Sequence, residues 1–169
     1  MASLRISGVE PESIVDGKGI RYVIFTQGCP HHCPGCHNPQ THDFAGGYLT
    51  DTDKLLDELR QNPLLKGVTF SGGEPFCQPT PLAELAEKIH ALGLDVTVYS
   101  GFTYEQLVDK RDPAVDALLR QADVLIDGRY EEDQRDLTLR FRGSSNQRVI
   151  DLNRTRAEGH IVVENLEQE

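Results

Sequence analysis

Four short β-rich segments recur along the chain, and a helical pattern separates each from the next. Residues 20–27 (IRYVIFTQ) are rich in β-branched and aromatic side chains and stop at Gly28. Thr50 is placed to cap a helix carrying Leu55, Leu56 and Leu59 on one face, and residues 67–71 (GVTFS) read as a second strand. Thr80-Pro81 begins a helix with Leu82, Leu85, Ala86, Ile89 and Leu92 at helical spacing. Gly93 closes it, and residues 95–99 form a third strand. Thr103 and Gln106 fit a capping box, and Asp112-Pro113 opens a helix containing Val115, Leu118 and Leu119. Residues 122–127 (ADVLID) complete the fourth strand. Strands that alternate with helices pair in parallel, because each helix carries the chain back along the sheet in a right-handed crossover. The pattern predicts an α/β fold of mostly parallel strands with helices outside, and functional groups at the C-terminal ends of the strands.

Beyond Arg129 the alternation degrades, and no clear helix is legible. This predicts one domain over 1–169, with a core over about 1–130 and an irregular, partner-facing extension over about 131–169. At 169 residues, 38% of them hydrophobic, the chain is long enough to bury a real core without disulfides. Its net charge of -10 repels a polyanion, which argues against nucleic acid as a partner. The N-terminus lacks an apolar stretch of signal-peptide length, and nowhere do roughly 20 apolar residues run together. A cytoplasmic protein with no membrane partner is expected. Seven of the 17 basic residues (Arg129, Arg135, Arg140, Arg142, Arg148, Arg154 and Arg156) fall late in the chain. They read either as a solvated face interleaved with acids or as a docking or carboxylate-binding surface.

The chemistry concentrates immediately after the first strand, in Cys29-Pro30-His31-His32-Cys33-Pro34-Gly35-Cys36. Three thiols spaced C-x3-C-x2-C on one loop suit three corners of an iron-sulfur cubane, whose fourth iron is left to bind something else. Zinc is the rival, because His31, His32 or His37 can complete a tetrahedral site with three cysteines. His31 and His32 read more simply as exposed loop residues. A four-cysteine electron-transfer cluster would need Cys77, which lies 41 positions after Cys36 in another βα segment. A second motif, Ser71-Gly72-Gly73-Glu74-Pro75, follows the second strand and so faces the same end of the sheet. Paired glycines let a ligand approach the backbone, and Glu74 offers a carboxylate to an ammonium group.

The pairing of CPHHCPGC with SGGEP resembles the glycyl-radical-enzyme activating proteins of the radical S-adenosylmethionine superfamily, as do the flanking VDGKGIRYVIFTQGC and HNPQTHDF. The resemblance implies a radical-SAM type partial (βα) barrel and a [4Fe-4S] cluster on Cys29, Cys33 and Cys36, with S-adenosylmethionine as cosubstrate. It further implies that Gly72, Gly73 and Glu74 receive the methionine amino group. Gly35 stands where many members have an aromatic residue, so the backbone of Gly35, Cys36 and His37 must frame the adenine. Ser100, Asp127, Gly128 and Arg129 match strand ends near the ribose or carboxylate, and each is read equally well as a strand-end cap. The short length, the lack of further cysteines and the late GSSNQRVIDL are similar to the activators of anaerobic ribonucleoside-triphosphate reductase. The implied activity is that of an oxidoreductase that makes a 5'-deoxyadenosyl radical and then a glycyl radical on the large subunit of that reductase. An electron donor such as flavodoxin or ferredoxin is implied with it. Activation of another glycyl radical enzyme such as formate lyase, a zinc-binding interaction module and a four-cysteine electron carrier remain the alternatives.

Overall fold

Side-chain alternation along the central strands gives the sheet one apolar face and one largely polar face. The computed structural model describes residues 2–31, 33–36 and 38–164. Its strands are β1 (Ser3–Ser13), β2 (Arg21–Thr26), β3 (Tyr48–Asp51), β4 (Gly67–Gly72), β5 (Asp95–Tyr99), β6 (Val124–Asp127) and β7 (Arg148–Asp151). They form one seven-stranded sheet in the order β3-β1-β2-β4-β5-β6-β7. The four strands expected from the sequence are β2, β4, β5 and β6, and each pairs in parallel with the next. β1 and β7 run antiparallel to β2 and β6, and β3 runs antiparallel to β1. The mostly parallel α/β architecture is therefore as expected.

The helices are α1 (Thr52–Arg60), α2 (Pro79–Ala91), α3 (Tyr104–Asp109), α4 (Pro113–Gln121) and α5 (Leu152–Glu158). Asp51, rather than Thr50, caps α1, its side chain accepting from the Asp53 N–H at 2.8 Å, because Thr50 is drawn into β3 opposite Leu4. The Thr103–Gln106 capping box on α3 and the Asp112 cap with Pro113 on α4 form as the sequence predicts. Tyr22, Ile24, Val68, Phe70, Val96, Val98 and Leu125 occupy alternate positions of the central strands and point to one face. There they meet Leu55 and Leu59 of α1, Leu82, Leu85 and Ile89 of α2, and Val115 and Leu118 of α4 in a single buried cluster. Burying each such side chain contributes roughly 1.5–3 kcal/mol, so this layer fixes the strand ends in place. Among the described residues no helix is long and apolar enough to cross a membrane.

The opposite face carries a buried charge. Arg21 is 1% exposed, and its guanidinium is held by Thr69 Oγ1 at 2.7 Å, the Lys18 and Val68 carbonyls at 2.9 Å and Asp95 Oδ1 at 2.5 Å. A buried guanidinium is tolerated only with such complete pairing. This face stays free of helices, so the strand ends border a cavity. The segment beyond Arg129 is more regular than expected, since β7 extends the sheet and α5 follows it, capped by Asp151. Among the described residues there, only Val149, Ile150 and Leu152 are buried and apolar, too few to show a periodicity in the sequence.

Candidate functional site

The cysteine loop leaves the C-terminal end of β2 and is pinned at once. Gly28 N–H donates to the Thr41 carbonyl at 2.7 Å and Cys29 N–H to the His42 carbonyl at 3.1 Å. Gly28 has φ +104°, and a Cβ there would run into the Phe44 ring, so glycine is required where the loop turns off the strand. Cys36 N–H donates to the Cys33 carbonyl at 3.1 Å and closes a tight turn through Gly35, whose φ is +73°. Cys29 is buried, and Cys33 and Cys36 are half-buried. Burial pushes the Cys33 thiol above its ordinary range, opposed in part by a backbone hydrogen bond at Tyr130 and by the Arg129 charge. A coordinating iron removes such a proton outright. All three cysteines line one cavity of about 540 Å³.

Gly72 and Gly73 line the same cavity from the end of β4. Gly73 N–H donates to the Thr26 carbonyl and Glu74 N–H to the Gly28 carbonyl, each at 2.8 Å, so the glycine turn is stitched to the root of the cysteine loop. A Cβ on Gly72 would lie 2.5 Å from the Thr26 nitrogen, and one on Gly73 would strike the Gly28 carbonyl. The glycines are thus demanded by the close approach of two backbones, whatever ligand they also meet.

Glu74 behaves differently from the expectation. Its carboxylate is 0% exposed and does not line the cavity. It accepts from Ser100 Oγ at 3.0 Å, Gly101 N–H at 2.8 Å and Phe76 N–H at 3.0 Å, and lies 2.6 Å from His31 Nε2. The oxygens expected to receive an ammonium group are filled by this chain's own donors, which leaves Ser71 and the Gly72-Gly73 backbone as the parts of the motif facing the cavity. His31 is also corrected: it is no exposed loop residue, its side chain being 4% exposed and packed edge-on against Phe102 at 4.6 Å. His32 and His37 lie outside the described residues.

The remaining predicted residues divide. Ser100, Gly128 and Arg129 line the cavity, with Arg129 exposed. Asp127 is 1% exposed and absent from the cavity wall; it accepts from Tyr104 N–H at the start of α3 and from Arg148. A side chain at Gly35 would point at Glu132, away from the cavity. The late arginines split in the same way. Arg148, Arg154 and Arg156 are engaged off the cavity with Asp127, with Glu158, and with the Leu119 and Ala122 carbonyls; Arg129, Arg140 and Arg142 stand on the cavity wall, where Arg140 lies over the Phe141 ring and Arg142 donates to the Gln147 carbonyl at 3.0 Å.

Some wall residues were missed. Ile14 and Val15 approach from the turn after β1, and Leu139 to Gly143 form a strap on the far side. Phe141 within that strap has φ +65°, and its carbonyl accepts from Tyr99 Oη at 2.6 Å. Burial pushes the Tyr99 phenol far above its ordinary range, so it stays a donor. Tyr99 is the last residue of β5 and alternates with Asp95 and Thr97 onto the polar face; in the strap only Arg140 and Arg142 stand out in the sequence, as members of the late arginine stretch.

Three thiols and a glycine turn thus share one cavity at the C-terminal ends of the parallel strands of an α/β domain. The family model described as a 4Fe-4S single cluster domain matches residues 15–150. The chain belongs to that family, and within it to the anaerobic ribonucleoside-triphosphate reductase-activating proteins. The protein of that name from Pasteurella multocida is 35% identical over 146 residues, covering 81% of this chain and 90% of the relative. Its Salmonella typhimurium counterpart is 35% identical over 147 residues, covering 82% and 93%. The pyruvate formate-lyase-activating enzyme of Clostridium pasteurianum is 38% identical over 117 residues, covering 64% of this chain and 49% of that enzyme.

Proposed function

We propose that this chain is a radical S-adenosylmethionine oxidoreductase that installs a glycyl radical on the large subunit of anaerobic ribonucleoside-triphosphate reductase, using a [4Fe-4S] cluster held by Cys29, Cys33 and Cys36. The observation that carries this reading is that the three thiols and the Gly72-Gly73 turn open on one cavity of about 540 Å³. The donor set fits the group: three soft thiolates on one loop suit cluster iron and leave one iron without a protein ligand. Cys77, the only other thiol, is exposed and off the cavity wall. When bound, the cluster supplies the single electron that splits the sulfonium of S-adenosylmethionine into methionine and a 5'-deoxyadenosyl radical, which takes a hydrogen atom from the target glycine and leaves as 5'-deoxyadenosine.

The chain's own residues bind and orient. The Gly72 and Gly73 backbone offers carbonyl oxygens to the methionine amino group. The backbone around Gly35 and Cys36 frames the adenine. Ser100 and Gly128 border the ribose side, and the exposed guanidinium of Arg129 is free to swing onto a carboxylate and grip it in two-point fashion. The electron comes from a donor such as flavodoxin or ferredoxin in the cytoplasm.

Anaerobic incubation of the reconstituted, reduced protein with S-adenosylmethionine and the reductase is expected to give a glycyl radical signal by electron paramagnetic resonance. A loaded cluster that yields no such signal, and no 5'-deoxyadenosine, contradicts the proposal. The similarity to the Clostridium pasteurianum enzyme favours a second reading, activation of another glycyl radical enzyme such as a formate lyase. Exchanging the reductase for a formate lyase in the same assay separates the two.

A further inference from the structure

The Glu74 carboxylate sits between three parts of the chain. His31 reaches it from the loop between Cys29 and Cys33, Phe76 from its own turn, and Ser100 and Gly101 from the end of β5. We infer that His31 and Glu74 form a latch, a buried imidazole–carboxylate contact of 2.6 Å that fixes the cysteine loop against the ends of β4 and β5. Both are then positioning residues, acting through the loop and through the Gly72-Gly73 backbone.

Three observations carry this. Both carboxylate oxygens are engaged, and a carboxylate has only about four lone-pair sites, so no room remains for another donor. The imidazole is held on two sides, by Glu74 and by the Phe102 ring, which in turn carries Lys110 Nζ 4.1 Å from its centroid. Gly101 is what lets the imidazole in, since a Cβ there would overlap the His31 ring. An ammonium-binding role for Glu74 would require opening this contact and leaving a buried carboxylate short of donors.

The latch deepens the function proposed above and rests on it only in the spectroscopic arm of its test. In the full-length, iron-free chain, Glu74→Gln and His31→Ala are each expected to speed amide exchange at Cys29 and Gly101 about tenfold or more, while the core amides of β2 and β4 keep their protection. The double variant should exchange no faster than the worse single one, because both changes break one contact. In the reconstituted protein, the same variants should lose iron faster to a chelator and shift the midpoint potential, with His31→Gln restoring part of both. Should Glu74→Gln fail to fold, Ser100→Ala together with His31→Ala carries the same exchange test. Unchanged loop exchange in all variants overturns the latch. A fall in S-adenosylmethionine affinity alone would then make Glu74 a cosubstrate ligand, and loss of iron alone would make His31 a metal ligand. A wild-type protein that loads iron but never cleaves S-adenosylmethionine overturns the proposed function and leaves the exchange result standing.

Discussion

Arg148 grips Asp127 at two points, Nη2 to Oδ2 at 2.5 Å and Nε to Oδ1 at 3.1 Å, and so ties the first residue of β7 to the last residue of β6. Asp127 also accepts from Tyr104 N–H at 2.8 Å and thereby holds the start of α3. The carboxylate pushes the Arg148 guanidinium far above its ordinary range. Of the two readings open for Asp127 in the sequence, the geometry favours the strand-end cap.

Breaking that pair should therefore destabilise the fold. Arg148→Met leaves a buried carboxylate with one donor and is expected to cost about 2–4 kcal/mol in urea unfolding. Glu105→Gln, which removes only the exposed arm of the same arginine, should cost less than about 1 kcal/mol. If a well-folded Asp127→Asn lost cosubstrate binding at wild-type stability, the cap reading would fail.

Glycine substitutions should separate space from backbone strain. Gly73→Ala drives a Cβ into the Gly28 carbonyl, backbone that cannot swing aside, and is expected to cost about 2–4 kcal/mol and to displace the cysteine loop. Gly93→Ala meets nothing within 4 Å but sits at φ +82°, so strain alone should cost about 1 kcal/mol. Gly8→Ala, with open space and no positive φ, should be neutral or slightly stabilising. Thermal unfolding of the three variants checks the order.

Asp123 sets an acid limb of stability. Burial acts to raise its carboxyl, but hydrogen bonds from Asn153, Val96 N–H and His90 together outweigh burial and hold it below its ordinary 3.8. A carboxyl depressed in the folded state adds stability above the unfolded value, and that contribution disappears as pH falls through the folded one. The stability difference between wild type and Asp123→Asn should be full at neutral pH and shrink below about pH 4. A difference that stays constant down to pH 2 would show that Asp123 acts by shape alone.

The elements that carry the site were the legible ones. Residues 95–99 form β5 with no change of boundary, and the Thr103–Gln106 box forms both of its hydrogen bonds, because strong local signals there agree with the tertiary packing. β1 escaped notice because Gly8 and Pro11 interrupt its alternation and it pairs through two irregularities. β3 is an edge strand with Tyr48 and Leu49 exposed, so no buried pattern marks it. The cysteine loop and the glycine turn declared themselves as motifs. The Glu74–His31 contact joins residues 43 positions apart, and only the docking of β4 beside β2 brings them together.

Cys77 and the loop cysteines supply the most direct test of the central claim. Cys77 is exposed as a residue, but its sulfur is partly desolvated, and this, with the Glu74 and Cys29 charges adding to it, pushes the thiol up to about 11, so it stays protonated at neutral pH in the absence of metal. Iron per chain and 5'-deoxyadenosine formed from S-adenosylmethionine should be measured after anaerobic reconstitution of wild type, Cys77→Ala, and Cys29→Ala, Cys33→Ala and Cys36→Ala. Wild type and Cys77→Ala should each hold about four irons and produce 5'-deoxyadenosine, while each loop variant should lose the product entirely. Loss of the cluster in Cys77→Ala, or a full cluster in wild type that leaves S-adenosylmethionine intact, would contradict the account.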